Sequence, residues 1–267
     1  MFNTEVHTPS SILPFAVAPR ATAPAAWNHP VRSHAQSRQV PAINDTLKML
    51  SEALQPQRRL VRAGDVIYRA GERFDCLHVL NSGMVKVVKL TADGREQVVA
   101  LKFRGDWLGL DGIARGSYGC DGIAMDTGEV WSFRYEALLK TCVRQPELLT
   151  ALHGAMSQEI ARERESLMSV CTLPADARVA DFLRFFAESL ETRGLRTDQI
   201  TLRMTRAEIG NFLGLTLESV SRALSRLARE QLIAFAEKGR RDVRIPDVAA
   251  LSAFVQRSIA PEAVVLQ

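Results

Sequence analysis

The sequence predicts an α+β chain: a strand-rich first half, one long helix, then a C-terminal helix-turn-helix with a hairpin wing. Three observations carry this. Short apolar runs punctuated by glycines fill residues 60–133, an apolar seam at three- and four-residue steps follows over 146–171, and a capped helix pair with a glycine turn occupies 205–232. The expected organisation is a disordered tail over 1–45, a β-roll domain over 46–140, a long dimerisation helix over 141–171, a winged helix-turn-helix domain over 172–250 and a C-terminal tail over 251–267.

The tail is rich in Pro, Ala, Ser and Thr, a composition that buries too little apolar surface to fold alone. Its histidines, His7, His29 and His34, leave weak metal binding open. In the next segment, glycines at 64, 71, 83, 94 and 105 separate runs such as Val66-Ile67-Tyr68, Leu77 to Leu80, Met84 to Val88 and Val98 to Leu101, the cadence of a small antiparallel roll. Asp93-Gly94 between two of these runs is a hairpin-turn signal.

Pro146, tolerated in a first helical turn, opens the long helix. Leu149, Leu152, Met156, Ile160, Glu163, Leu167 and Val170 follow a coiled-coil-like spacing, from which a parallel homodimer is expected. Glu163 interrupts the apolar seam. Either the two copies of this acid face each other and hold dimerisation near balance, or each sits on the flank and pairs with Arg162, Arg164 or an arginine of the partner helix.

Thr205 and Glu208 form a capping-box pair that predicts a helix start at Thr205, and Gly214 supplies the left-handed conformation that ends that helix. Thr216 caps the second helix, where Val220, Ala223, Leu224 and Leu227 make one apolar stripe. Glu218, Ser221, Arg222, Ser225, Arg226 and Arg229 are left on more exposed faces. Beyond it, Ile233, Phe235, Val243 and Ile245 alternate loosely around Lys238-Gly239, as a β-hairpin wing closed by Pro246 would. Pro261 should end any C-terminal helix near Ala260.

Charge narrows the function. From Arg203 to Arg244 there are nine Lys or Arg against five Asp or Glu, a surplus equal to the +4 of the whole chain. The basic balance is local to the helix-turn-helix, as binding to DNA phosphates requires. No apolar run approaches the ~20 residues of a membrane span, and the first residues lack the pattern of a secretory signal, so a cytoplasmic protein is expected. An enzyme on a cupin-like barrel would gather histidines and a carboxylate around a metal, yet the roll contains only His78. No catalytic function is expected.

The stretch MTRAEIGNFLGLTLESVSR (Met204 to Arg222), supported by GDWLGLDGI (Gly105 to Ile113), resembles the CRP/FNR superfamily of bacterial transcription regulators, and within it the FNR-like branch. The resemblance covers roughly residues 46 to 250. It implies a cyclic-nucleotide-binding-like β-roll, a dimerisation helix and a winged helix-turn-helix. Its E-x-x-S-R signature implies that Glu218, Ser221 and Arg222 meet DNA, with Thr205, Arg206, Thr216, Ser219 and Arg226 around them. The chemistry fits: Arg can donate two hydrogen bonds to guanine, Glu can accept from cytosine and Ser can reach either. Leu217 stands where the CRP branch carries a further base-reading arginine, so a TTGAT-type inverted repeat is expected. Double-stranded DNA, RNA polymerase and a second copy of the chain are the implied partners, with activation of promoters the implied role.

The sensing chemistry departs from the family. Iron-sulfur members need several N-terminal cysteines plus one in the roll, whereas residues 1–75 here contain none and the roll position falls at Trp131. No such cluster is expected. Cys76, Cys120, Cys142 and Cys171 lack the close pairing of a zinc site or a disulfide framework. A CRP-type phosphate cassette needs Gly-Glu and then Arg-Ser or Arg-Thr, but this chain has Gly105-Asp106 and only Arg115-Gly116-Ser117. No cofactor is predicted. Haem, with His78, His153 or Cys120 as ligand, or another effector in the roll, stays open, as does a thiol switch at Cys171.

Overall fold

The computed structural model describes residues 41–236 and 241–259, all within one unit, Arg38–Gln267. In chain order the elements are α1 (Ile43–Leu54), β1 (Gln57–Val61), β2 (Val66–Tyr68), β3 (Cys76–Ser82), β4 (Val85–Leu90), β5 (Glu96–Lys102), β6 (Trp107–Leu108), α2 (Gly112–Arg115), β7 (Asp121–Ala124), β8 (Gly128–Arg134), α3 (Tyr135–Arg144), α4 (Pro146–Thr172), α5 (Ala175–Glu191), β9 (Gln199–Thr201), α6 (Arg206–Leu213), α7 (Leu217–Arg229), β10 (Ala234–Phe235), β11 (Asp242–Arg244) and α8 (Val248–Ile259).

Two four-stranded antiparallel sheets, ordered β1-β8-β3-β6 and β2-β7-β4-β5, make the roll. The four runs read from sequence fall in β2, β3, β4 and β5, and Gly94 turns the β4–β5 hairpin at φ +79°. Strand β3 is buried on both faces. Leu77 and Val79 point toward α1, α3 and the start of α4, while Leu80 joins Val61, Val85, Leu108 and Val130 in the roll interior. Trp131, on the neighbouring strand β8, is buried on the helix side.

His78 has its own fixed place between the sheets. Tyr118 donates its hydroxyl proton to the Cys76 carbonyl at 2.7 Å, so its oxygen accepts from His78 Nε2–H at 3.2 Å. His78 Nδ1 then accepts from Ser132 Oγ at 2.8 Å, and the Tyr68 ring stacks on the imidazole at 5.4 Å between centroids. Burial, helped by Arg59, lowers the imidazole pKa from 6.5 to about 4, so the folded chain holds this ring neutral. As pH falls below 6.5 the unfolded chain takes up the proton first. Stability contributed by the neutral ring is therefore expected to fall by about 3 kcal/mol between pH 6.5 and pH 4. Urea unfolding over that range, compared with His78→Gln, checks this: the variant should lose that part of the slope, and an unchanged slope would refute the assignment. With both ring nitrogens committed, His78 is not placed to ligate haem iron.

Helix α4 spans 27 residues, roughly 40 Å at 1.5 Å per residue. Its first turns bury Leu148, Ala151 and Leu152 on the roll, whereas Ile160, Leu167 and Met168 are 47%, 63% and 59% exposed. This corrects the seam at one end: Leu152 is 3% exposed inside its own roll's core and is not presented to a partner. The helix begins at Pro146 rather than at 141, because α3 occupies the residues across that boundary.

The C-terminal domain packs α5, α6, α7 and α8 with the sheet β10-β11-β9 around Phe182, Leu183, Ile209, Leu224, Leu227 and Val243. Two boundaries move. Residues 251–259 belong to α8, whose Leu251, Phe254 and Val255 are buried in this core, so the segment after 250 is no tail as far as Ile259. At the other end the tail stops short of α1, which starts at Ile43 and buries Leu47 and Leu50 on the roll. The wing strands pair Ala234 with Arg244 and Phe235 with Val243. The expected hairpin tip at Lys238-Gly239 and residues 1–40 lie outside the described residues.

Roll and C-terminal domain share one apolar cluster: Met84, Val88, Val98, Leu101 and Phe103 of the β4–β5 region pack with Phe182, Phe186 and Leu213. A buried charged joint lies beside it. Asp106 Oδ1 accepts from Arg193 at 2.8 Å and is 3.2 Å from Arg162 of α4, while Oδ2 accepts from the Phe103 backbone at 2.9 Å.

Candidate nucleic-acid interface

The first helix of the pair starts where its cap dictates. Thr205 Oγ1 accepts from Glu208 N at 3.1 Å and Glu208 Oε2 accepts from Thr205 N at 2.8 Å, the reciprocal capping box read from sequence. Gly214 ends the helix at φ +64°. A second glycine is equally required: a Cβ on Gly210 would lie 2.6 Å from the Leu215 carbonyl oxygen, so only glycine lets the turn fold back on α6. Arg178 of α5 fastens that turn, donating to Leu213 O at 3.0 Å and to Leu173 O, at the end of α4, at 3.1 Å.

Helix α7 is amphipathic in the sense expected. Val220, Ala223, Leu224 and Leu227 are buried, and the opposite face presents Glu218, Arg222, Ser225 and Arg229, all exposed, with Ser219 and Ser221 half-buried between them. Thr216 caps its start, accepting from Ser219 N at 3.2 Å. Glu218, in the first turn, has its carboxyl held below the usual range by its own backbone N–H and by the Thr216 hydroxyl. It stays an anion able to accept a base amino group. Among the described residues Arg222 reaches only Ser219 Oγ, at 3.4 Å, which leaves most of its donor fork facing solvent.

Glu218, Ser219, Ser221 and Arg222 are therefore brought onto one surface. Three other expected residues are arranged differently. Arg226 is directed to Asp176 of α5 at 2.7 Å and to Glu230 at 2.9 Å, because both acids lie within reach at the end of the helix, so its guanidinium braces α7 against α5 rather than standing free toward a groove. Arg206 lies half-buried with its guanidinium 5.6 Å from the Phe235 ring of the wing strand. The Thr205 hydroxyl both accepts from Glu208 N and donates to Glu208 Oε2 at 3.0 Å, a capping role that leaves it little to offer DNA.

The remaining cavity of note is a cleft of about 580 Å³ between the roll and α4, lined by Tyr68, Val98, Cys120, Ile160, Leu167 and Phe212. Asp111, Glu159 and Glu163 supply its acidic groups, and Lys102, its one cation among the described residues, is ion-paired to Glu159. This donor set does not fit a cyclic nucleotide. A phosphate would meet three carboxylates and a neutralised ammonium, and Asp106, the acid of the Gly-Asp pair, is taken by Arg193 and Arg162. Glu163 itself pairs with neither neighbouring arginine among the described residues, since Arg162 turns to Asp106. Among the described residues, no three His, Cys, Asp or Glu side chains gather where a metal ion could sit, and no helix is long and apolar enough to cross a membrane.

Known proteins show the same two-part order. A family model of the cyclic nucleotide-binding domain matches residues 58–145, and one of the Crp-like helix-turn-helix domain matches 177–254. The chain is 31% identical over 201 residues to the transcriptional activator protein Anr of Pseudomonas protegens, covering 75% of this chain and 81% of that one. It is 30% identical over 189 residues to the fumarate and nitrate reduction regulatory protein of Vibrio cholerae, covering 71% and 74%. The solved structure of FixK2 from Bradyrhizobium japonicum superimposes with a TM-score of 0.65 at 27% identity, covering 74% of this chain and 96% of that one. With the roll and the helix pair in this order, and relatives of this identity matched over most of their length, the chain belongs to the CRP/FNR family and is a DNA-binding transcriptional regulator.

Proposed function

We propose that the protein binds TTGAT-type inverted repeats as a homodimer and activates transcription by presenting its roll to RNA polymerase. The observation that carries this reading is the constellation of exposed Glu218 and Arg222 with half-buried Ser221 on the side of α7 away from its buried stripe. An Arg fork suits guanine, the Glu carboxylate suits cytosine, and a helix of this kind enters the major groove by its N-terminal half. Dimerisation is supported by Ile160, Leu167 and Met168 of α4, apolar side chains left in solvent along one helix. Two copies related by a two-fold axis would set their reading helices about one DNA turn apart, as an inverted repeat demands. The activator named among its relatives fits the same role, and the reading is of a cytoplasmic regulator rather than an enzyme.

Fluorescence anisotropy with a TTGAT-N4-ATCAA duplex tests it. Arg222→Ala is expected to weaken binding about 5- to 150-fold per half-site and to relax discrimination at the guanine, from the roughly 1–3 kcal/mol of a bidentate pair. Equal weakening on all sequences would instead assign Arg222 to phosphate.

A second reading keeps the DNA function but adds an effector in the roll. The cleft beside α4 supports it, being lined mostly by apolar side chains and large enough for a small molecule. Its acidic lining suits an uncharged or cationic effector; of the two other haem-ligand candidates, Cys120 lines the cleft, whereas His153 is exposed on α4 outside that lining. Calorimetric titration with candidate effectors, read alongside DNA affinity, separates the two.

A further inference from the structure

Strand β5 is the edge of the sheet β2-β7-β4-β5, and an edge strand carries unpaired backbone groups that must find partners. Here they find a side chain. Asn211 of α6 accepts from Val98 N through Oδ1 at 2.6 Å and donates from Nδ2 to Glu96 O at 2.7 Å. Glu96 C=O and Val98 N–H point the same way along the strand, so one carboxamide satisfies both, as a residue of a parallel neighbouring strand would. The donor and acceptor on β5 also fix which amide atom is oxygen. Gln97 Nε2 in turn donates to the Asn211 backbone carbonyl.

One helical turn away a second bond is made. Lys86 Nζ of β4 donates to Glu208 Oε1 at 2.6 Å, with the two side chains 18% and 32% exposed. Burial pushes the Glu208 carboxyl up, but Lys86 and the capping Thr205 outweigh it and hold the group below its usual range. The β4–β5 hairpin thus grips α6 at both its cap and its middle, while the reading face of α7 stays in solvent.

We propose that Asn211 and Glu208, with Lys86, are positioning residues for DNA recognition: the roll sets the orientation of the reading helix by holding α6, and so holds it in a DNA-competent arrangement with no bound effector. Neither residue touches a base. The inference rests on the dimeric inverted-repeat reading, because orientation relative to the roll and α4 matters only when two reading helices must meet two half-sites together.

The test uses the full-length protein, as wild type, Asn211→Ala and Lys86→Met, with two duplexes, one carrying TTGAT-N4-ATCAA and one carrying a single TTGAT. Amide hydrogen exchange at Val98 reports whether the grip has opened. The expected result is faster exchange at Val98 in Asn211→Ala, full-repeat affinity reduced about tenfold in both variants, since two hydrogen bonds in one and a charged one in the other are lost, and half-site affinity within twofold of wild type. Lys86→Arg should restore the full-repeat affinity. Equal loss on both duplexes would overturn the proposal by showing that the reading domain itself is damaged. Faster Val98 exchange with unchanged full-repeat affinity would overturn it by showing that the grip positions nothing, and a gain in affinity would mean that it restrains binding. If wild type itself binds both duplexes alike, it is the inverted-repeat reading that fails, and this proposal falls with it.

Discussion

Replacing Asp106 by alanine is expected to cost about 3–5 kcal/mol of stability, among the largest single-residue effects in this chain. The reason is Arg193, whose side chain is only 2% exposed and whose charge is opposed at close range by Asp106. Its other donors are committed to the carbonyls of Arg104 at 2.7 Å and Ser189 at 2.5 Å, and its guanidinium stacks 5.2 Å from the Phe103 ring. Burial lowers the Arg193 pKa and Asp106 opposes that, so without the acid an almost dry guanidinium keeps its charge unpaired. A buried pair is seldom worth much more than a well-packed apolar one, so the double change Asp106→Asn with Arg193→Met should recover most of the loss. Urea denaturation of wild type, single and double variants reads this directly. A single variant within about 1 kcal/mol of wild type would show that the joint between roll and C-terminal domain is not held by this pair.

The second large effect concerns assembly. Ile160→Glu combined with Leu167→Glu is expected to yield a folded monomer, because both side chains are exposed in the single chain and neither belongs to its core. In a dimer they would place four carboxylates in a desolvated seam beside the two copies of Glu163. Losing the second reading head removes the effective-concentration advantage, so affinity for an inverted repeat should fall about 100-fold or more while half-site binding persists. Sedimentation velocity and anisotropy check the two statements together. A dimer that survives the double change would exclude α4 as the interface.

The helix-turn-helix was legible in the sequence because its signals are local. Thr205 with Glu208, Gly214, and the stripe Val220, Ala223, Leu224 and Leu227 lie within 25 residues and act through bonds between near neighbours. The roll was legible for the same reason: its glycines and short apolar runs mark strands one at a time. What escaped were contacts between distant residues. Lys86 and Glu208 are 122 positions apart, Val98 and Asn211 113, and Asp106 and Arg193 87, and no periodicity couples such pairs. Helical spacing likewise placed Leu152 and Ile160 on one seam, but only tertiary packing decides that Leu152 lies on the roll and Ile160 in solvent. Arg226 looked like a free cation on a basic helix until Asp176, 50 residues earlier, came within 2.7 Å of it. The helix after 248 could have been found from the spacing of Leu251, Phe254 and Val255, a signal only five residues long and too short to mark a core-packed helix by itself.

The most direct test of the central claim is binding of the effector-free, metal-free protein to a TTGAT-N4-ATCAA duplex at ~150 mM salt, in air and under anaerobic conditions, with a scrambled duplex beside it. The repeat is expected to be bound well above the scrambled duplex in both atmospheres, with one dimer per duplex. No preference for the repeat in either atmosphere would contradict it, and binding confined to one atmosphere would mean that a redox or ligand signal, rather than the chain's own contacts, sets the reading geometry.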